Sequence, residues 1–206
     1  MICLFTGTPG SGKSLHVAQI ISDTLRYKDM YVVTNIPVNL NLFKKNRRDR
    51  YYYYNNSELT PGVLKNVSKS YFDKHGGKIK EDKILVIIDE AQLLFNARTW
   101  NAQGRSEWNE FFTIHRHLGL KIILVCQFDQ MLDKQIRYLV EYQYIHRKLT
   151  NFGWRGWLLI LLSAGRRFSC VKYWYPIREK LGLNLFYCNR RFFKIYDTYM
   201  LFDSKI

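Results

Sequence analysis

The sequence predicts an α/β fold, a three-layer sandwich around a mostly parallel sheet, and three observations carry that prediction. Short β-branched and apolar runs alternate with helical patterns along residues 1–150, as strand–helix–strand units of a parallel sheet do. A glycine-rich turn, Gly7-Thr8-Pro9-Gly10-Ser11-Gly12-Lys13-Ser14, joins the first run, Ile2-Cys3-Leu4-Phe5, to the first helical pattern. The run from Lys83 to Asp89 is continuously apolar and ends in a carboxylate, the pattern of a strand buried on both faces.

In order, the expected elements are a strand at 2–6, a helix at about 14–27, a strand at 31–34, and a long irregular basic insert at about 40–80. A strand at 84–88, a helix at 106–118, and strands at 121–126 and about 142–148 follow. Ser106 reads as the N-cap of that helix and Gly119 as its C′ residue, with Trp108, Phe111, Phe112, His115 and Leu118 on one face. Beyond Thr150 the texture changes to short aromatic segments punctuated by Gly153, Gly156, Gly165 and Pro176, read as small antiparallel strands, one of them at 166–175. The division is a core at 1–150 and an aromatic, basic, β-rich extension of the same domain at 151–206.

The turn after the first run has the spacing of a phosphate-binding loop. Glycines there let successive backbone N–H groups curl around phosphate oxygens at a helix N-terminus. Lys13 then reaches the terminal phosphates and Ser14 ligands Mg²⁺, so ATP and Mg²⁺ are the expected cofactors, and the fold becomes a P-loop NTPase sandwich. Asp89, at the end of its apolar run, suits the second Mg²⁺ contact, and Glu90 suits orientation of an attacking water. Gln127, ending the third apolar strand, both donates and accepts hydrogen bonds, as a γ-phosphate sensor requires. Acidic residues at 89 and 90 also suit a helix cap near Ala91, and a surface glutamine needs no ligand.

Arg116 lies in the last turn of the 106–118 helix with His115 and His117. In a ring it is a candidate finger to a neighbour's γ-phosphate, with Arg98 and Arg105 as rivals, although basic residues there also complement the helix dipole. The histidines read as packing or cap residues.

At 206 residues and 47% hydrophobic the chain is long enough for a sizeable core. The cysteines Cys3, Cys126, Cys170 and Cys188 lack C-x-x-C spacing and suit a reducing compartment. The apolar stretch Trp157–Leu162 is too short to span a bilayer. The net charge is +15, and residues 134–194 hold thirteen Lys or Arg against Glu141 and Glu179. A second basic patch, Lys44, Lys45, Arg47, Arg48 and Arg50, runs into Tyr51–Tyr54. Cations interleaved with rings suit single-stranded nucleic acid, and the same surface suits anionic lipid or simple solubility, with the tyrosines in the core.

The loop, together with Thr34-Asn35-Ile36, Ile87-Ile88-Asp89-Glu90-Ala91, the block from His115 to Gln127 and, more weakly, Tyr196-Asp197-Thr198-Tyr199, resembles the zonular occludens toxin (Zot) family. These are the filamentous-phage assembly ATPases, also called gene I proteins. The resemblance implies an oligomeric ATP-driven motor on the cytoplasmic side of the host inner membrane. It would act with phage assembly proteins, single-stranded DNA or the protein that coats it. On the matching positions it assigns Lys13 and Ser14 to the nucleotide, Asp89 and Glu90 to the Walker B pair, and Gln127 and Arg116 to the following strand and the turn before it. Many members continue into a transmembrane helix and an extracytoplasmic tail, which this sequence does not contain, so the toxin activity attributed to that tail is not expected. The alternatives are a nucleotide-gated assembly scaffold with negligible turnover and, further off, a small-molecule kinase, against which Glu90 stands.

Overall fold

The computed structural model describes residues 1–96, 102–187 and 190–195, with only the backbone described for residues 102, 103 and 190. Eight strands form one sheet: β1 Ile2–Thr6, β2 Tyr31–Thr34, β3 Tyr51–Tyr53, β4 Ile84–Ile88, β5 Leu120–Val125, β6 Tyr142–Lys148, β7 Phe168–Trp174 and β8 Glu179–Phe186. Seven helices accompany them: α1 Lys13–Tyr27, α2 Lys45–Arg48, α3 Pro61–Lys74, α4 Ala102–Ile114, α5 Lys134–Leu139, α6 Gly153–Leu162 and α7 Arg190–Phe193.

The strand order is β3-β2-β4-β5-β1-β6-β7-β8, parallel through β6 and antiparallel for the last two. Parallel neighbours need helical crossovers, which cover both faces and force the central strands to be apolar on both sides. All five residues of β4 are accordingly at most 1% exposed. One face packs on α3 and α4 through Leu64, Tyr71, Phe111 and Phe112, with Phe95 in the same cluster. The other packs on α1 through Val17, Ala18, Ile21 and Leu25. Full burial of each such side chain is worth about 1.5–3 kcal/mol.

The strands at 2–6, 31–34 and 84–88 fall where the sequence places them, and the third apolar strand is β5. The 40–80 segment is not irregular. It holds α2, the edge strand β3 and the fourteen-residue helix α3. Thr60 caps α3 by accepting from the Val63 amide, Pro61 opens it, and Leu64, Val67, Ser68, Tyr71 and Phe72 form its buried stripe. The dense charge before it hid that pattern.

The helix expected to begin at Ser106 begins at Ala102, so Ser106 lies inside it and caps nothing. Its far end stands as expected: after a 3₁₀ turn over His115–Leu118, Gly119 adopts a left-handed φ of 66°. Residues beyond 150 do form an antiparallel hairpin, β7–β8, but they also form the helix α6, because Trp154–Leu162 contains no turn residue except Gly156. Arg98, Cys188 and Tyr196–Tyr199 lie outside the described residues.

Candidate nucleotide site

β1 ends at Thr6 and α1 begins at Lys13, so residues 7–12 make the whole turn between them. Three glycines make that turn possible, with φ of 148° at Gly7, 73° at Gly10 and 93° at Gly12. Two of them also admit close neighbours. A Cβ at Gly7 would stand 2.5 Å from the His146 carbonyl oxygen, and one at Gly12 would stand 2.7 Å from the Phe168 ring. The loop is therefore braced from outside by β6 and β7.

Inside the loop, the Ser11 amide donates to the Thr8 carbonyl at 3.1 Å. Lys13 Nζ turns back to donate to the Gly7 carbonyl at 2.5 Å and the Thr8 carbonyl at 3.2 Å. Burial lowers the Lys13 pKa from its ordinary value, and the nearby negative charges of Glu90 and Asp89 oppose that shift. The Ser11 hydroxyl is buried with no partner in the described structure. A curled, glycine-rich backbone at a helix N-terminus, a lysine folded over it and an orphan hydroxyl inside it together fit a bound phosphate chain.

The second wall comes from the adjoining strands. β5 lies between β1 and β4, the arrangement expected of an ATPase with a sensor strand beside its loop strand. Asp89 follows β4 directly, and Asn35 clamps its backbone: Asn35 Oδ1 accepts from the Asp89 amide, and Asn35 Nδ2 donates to the Asp89 carbonyl, both at 2.8 Å. Asn35 Nδ2 also donates to Asn56 Oδ1 at 2.6 Å. Glu90 sits in a left-handed conformation with φ 47°, uncommon for a residue with a side chain. Its amide donates to Asp89 Oδ1 at 2.9 Å, and its carboxylate accepts from the side-chain amide of the buried Gln92. Ala91–Leu93 is a short 3₁₀ turn, and Glu90 precedes it without a side-chain capping bond to its backbone amides.

Gln127 is joined to the loop through its backbone, its carbonyl accepting from the Gly7 amide at 3.1 Å. With Gly7, Thr8, Asp129, His146 and Arg147 it lines a cavity of about 440 Å³ beside the loop. The structure thus gathers the phosphate loop, Asp89, Glu90 and Gln127 at one end of the sheet.

Arg116 is not brought there. It lies before β5, at the opposite end of the sheet, roughly 20 Å away along that six-residue strand. It pairs with Glu141 at 2.7 Å. Burial works against ionisation of Glu141, yet Arg116, the Ile2 amide and the amino terminus together hold its carboxyl below the usual range. Arg105 pairs with Asp133, the N-cap residue of α5, at 3.0 Å. His115 is buried and joins the Phe112 carbonyl and the amino terminus, a packing role as expected.

The sequence reading missed the residues that brace the loop. His16, on the first turns of α1, and His146, on β6, meet at 2.7 Å through Nδ1 and Nε2 between the rings of Phe5 and Phe186. Cys170 lies opposite His146 across the β6–β7 pair, and the ligand atoms of all three fall within 4.8 Å of one another. Two nitrogens on one tetrahedral ion stand about 3.3 Å apart, so at 2.7 Å the histidines form a hydrogen bond. Cys3, Cys126 and Cys170 are buried free thiols, and burial pushes the Cys126 thiol up to about 12. The tyrosine tract is mostly structural. Tyr51 bonds the Ile36 carbonyl, Tyr52 and Tyr54 pack on the core, and Tyr53 is the ring left exposed.

Comparison with known proteins places this geometry. The chain is 27% identical to the gene 1 protein of Enterobacteria phage I2-2 and to that of Enterobacteria phage M13, over 98% and 97% of its length. It spans 58% and 59% of those relatives. Among solved structures it resembles the N-terminal domain of zonular occludens toxin from Neisseria meningitidis, with TM-score 0.52 at 18% identity over 95% of this chain and 98% of that one. The genome packaging NTPase of Sulfolobus turreted icosahedral virus 2, solved with ATPγS, gives TM-score 0.56 at 16% identity over 90% and 96%. These likenesses establish a P-loop NTPase fold. The model of the family described as zonular occludens toxin (Zot) matches residues 1–164, and the chain therefore belongs to the Zot family.

Proposed function

We propose that this protein is an ATP-binding and ATP-hydrolysing motor for assembly and extrusion of filamentous phage at the host inner membrane. The observation that carries the reading is the convergence of Lys13, Asp89, Glu90 and Gln127 at one end of the sheet, with β5 between the loop strand and the acidic strand. Similarity along nearly the whole of this chain to 58% of the length of phage gene 1 proteins supplies the context.

In this reading the amides of residues 7–14 bind the phosphates and Lys13 neutralises their charge. Ser14 and Asp89 hold Mg²⁺, which would screen the terminal phosphates. Glu90 orients or deprotonates the attacking water, and Gln127 reports the presence of the γ-phosphate. Arg116 faces away from its own chain's loop, so a finger role would be exercised on a neighbouring protomer and would need release from Glu141. The working form is then a homo-oligomer, contacting phage assembly proteins and single-stranded DNA or its coating protein.

Two observations favour the second reading, a nucleotide-gated scaffold with negligible turnover: Gln92 holds the Glu90 carboxylate, and Lys13 is engaged by its own loop. ATP turnover across a protein-concentration series separates the two. A motor gives turnover that rises cooperatively and vanishes in Lys13→Ala and Glu90→Gln. Binding of ATP without turnover at every concentration, with single-stranded DNA and membranes supplied, would sink the motor.

A further inference from the structure

The helix α6 is built in a way that the nucleotide site does not explain. Of its ten residues only Gly156 and Ile160, one turn apart, face the body of the protein. Gly156 is seated so closely that a Cβ there would fall 1.8 Å from the Leu149 carbonyl oxygen, which fixes the helix by backbone contact. Apart from Gly153 and the exposed Arg155, the rest of its surface points outward and is apolar. Trp154 is 72% exposed, Trp157 63%, Leu161 77% and Leu162 74%, with Leu158 and Leu159 close to half exposed. Six large apolar side chains on one short helix exceed the scattered exposure that soluble surfaces carry. Gly165, with φ 85°, closes the helix by donating to the Ile160 carbonyl at 2.7 Å.

The charge around it has one sign. No Asp or Glu occurs from residue 142 to residue 178, whereas Arg147, Lys148, Arg166 and Arg167 flank the helix in the chain and Arg155 lies on it. Arg155 lies over the Trp154 ring at 5.6 Å and Arg166 over the Tyr187 ring at 5.0 Å, so cations stand beside aromatic rings at the rim of the apolar face. At about 1.5 Å per residue the helix is about 15 Å long, half the hydrocarbon thickness of a bilayer, so it lies in an interface and does not cross it. Among the described residues no helix is long and apolar enough to span a membrane.

We propose that α6 is an interfacial anchor that seats this domain on an anionic bilayer, with its tryptophans and leucines in the acyl boundary and the flanking arginines and lysines among the headgroups. Tryptophan at headgroup level, leucine below it and basic residues beside acidic lipid are the three elements of such a site. A second copy of the chain fits less well, because a twofold α6–α6 contact would bring the two cationic rims together. Nucleic acid fits less well because the leucines offer it neither charge nor a stacking ring. The contact is independent of ATP hydrolysis, so its failure and the failure of the motor reading are separable.

The test is flotation of the purified chain with vesicles of phosphatidylcholine alone and of phosphatidylcholine with 30% phosphatidylglycerol, combined with quenching of tryptophan emission by brominated lipid. The chain is expected to float with the anionic vesicles, less so in high salt, and to be quenched. Trp157→Glu with Leu161→Glu, both at exposed positions, should lower partitioning at least about tenfold while far-ultraviolet circular dichroism and ATP binding are unchanged. Arg166→Glu with Arg167→Glu should remove the preference for anionic lipid, and Lys13→Ala should float like the parent chain. Flotation without quenching, equal flotation of the Trp157/Leu161 variant, or no flotation on either vesicle would each overturn the proposal. A parent chain that stays off vesicles but sediments as an oligomer, while the Trp157/Leu161 variant sediments as a monomer, would give this face to a second copy.

Discussion

The side-chain amide of Gln92 donates to the carboxylate of Glu90, the left-handed residue that opens the 3₁₀ turn carrying Gln92. Gln92 is buried, and its own carbonyl oxygen has no partner in the described structure, so the amide cannot easily turn elsewhere. The proposed water-orienting carboxylate is thereby tied to the turn that carries it.

Replacing Gln92 with leucine removes both the tether and the orphan oxygen, a change that is near neutral for stability because no buried polar group is left behind. Basal ATP turnover of the isolated chain is expected to rise about two- to fivefold, against a loss of at least about a hundredfold in Glu90→Gln. A coupled phosphate-release assay reads both. A fall in the leucine variant would mean that Gln92 holds Glu90 in its working position.

Asn35 offers a second test on the same wall, since it holds Asp89 through both backbone groups and reaches Asn56 as well. Asn35→Ala removes two hydrogen bonds from the part-buried Asp89 backbone, at a cost of about 1–3 kcal/mol. Half-saturation of ATP binding by Mg²⁺ should move to higher concentration, with binding of metal-free nucleotide little altered. Equal weakening with and without Mg²⁺ would separate Asp89 from the metal.

The contact between Gly12 and the Phe168 ring predicts coupling between the phosphate loop and β7. Gly12→Ala is expected to lower stability by about 2–3 kcal/mol, part from the left-handed backbone and part from the ring. Adding Phe168→Ala should restore the part due to the ring, so the double variant is more stable than the sum of the single effects predicts. Strict additivity in urea denaturation would show that β7 does not brace the loop.

Burial lowers the pKa of His16 to about 4 and that of His146 to about 3, where the charge of His16 adds to the effect. Both are neutral at pH 7 in the folded chain, while in the unfolded chain they take up protons near pH 6.5. Between pH 6.5 and about 4 the unfolded state therefore binds more protons, and stability falls as the pH is lowered. The slope approaches about 1.4 kcal/mol per pH unit for each histidine inside that window, and it levels off below the folded values. The urea midpoint should drop between pH 7.5 and pH 5, and His16→Leu should make that drop shallower. An unchanged slope in the variant would place the sensitivity elsewhere.

Most of the site was legible because its chemistry is local in sequence. The loop needs glycines at fixed offsets from Lys13, and Asp89 ends an uninterrupted apolar strand, so neither depends on a distant partner for recognition. Gln127 followed from the end of β5 in the same way. Arg116 stands apart because a basic residue in the last turn before a parallel strand lies at the strand's amino end, whereas phosphate loops sit at the carboxyl ends, which leaves its expected action on a neighbouring protomer as a proposal. That geometry is implicit in a parallel sheet and puts the residue beside Glu141.

The helix α3 went unread although Thr60-Pro61 announces it, since lysines between its apolar positions dilute the stripe. The His16–His146 and Gly12–Phe168 contacts could not be read at all, because they join residues more than a hundred positions apart and depend on β6 and β7 closing over α1.

That closure also bears on where this molecule can be cut. The family match ends at residue 164, four positions before the ring that rests on Gly12. A fragment made to that boundary would keep every phosphate-binding residue, yet it would lay bare the outer edge of β6 and remove one wall around His146. The stretch that the family model covers is thus smaller than the sheet that shapes the loop, and residues 1–164 depend for part of their form on β7 beyond them.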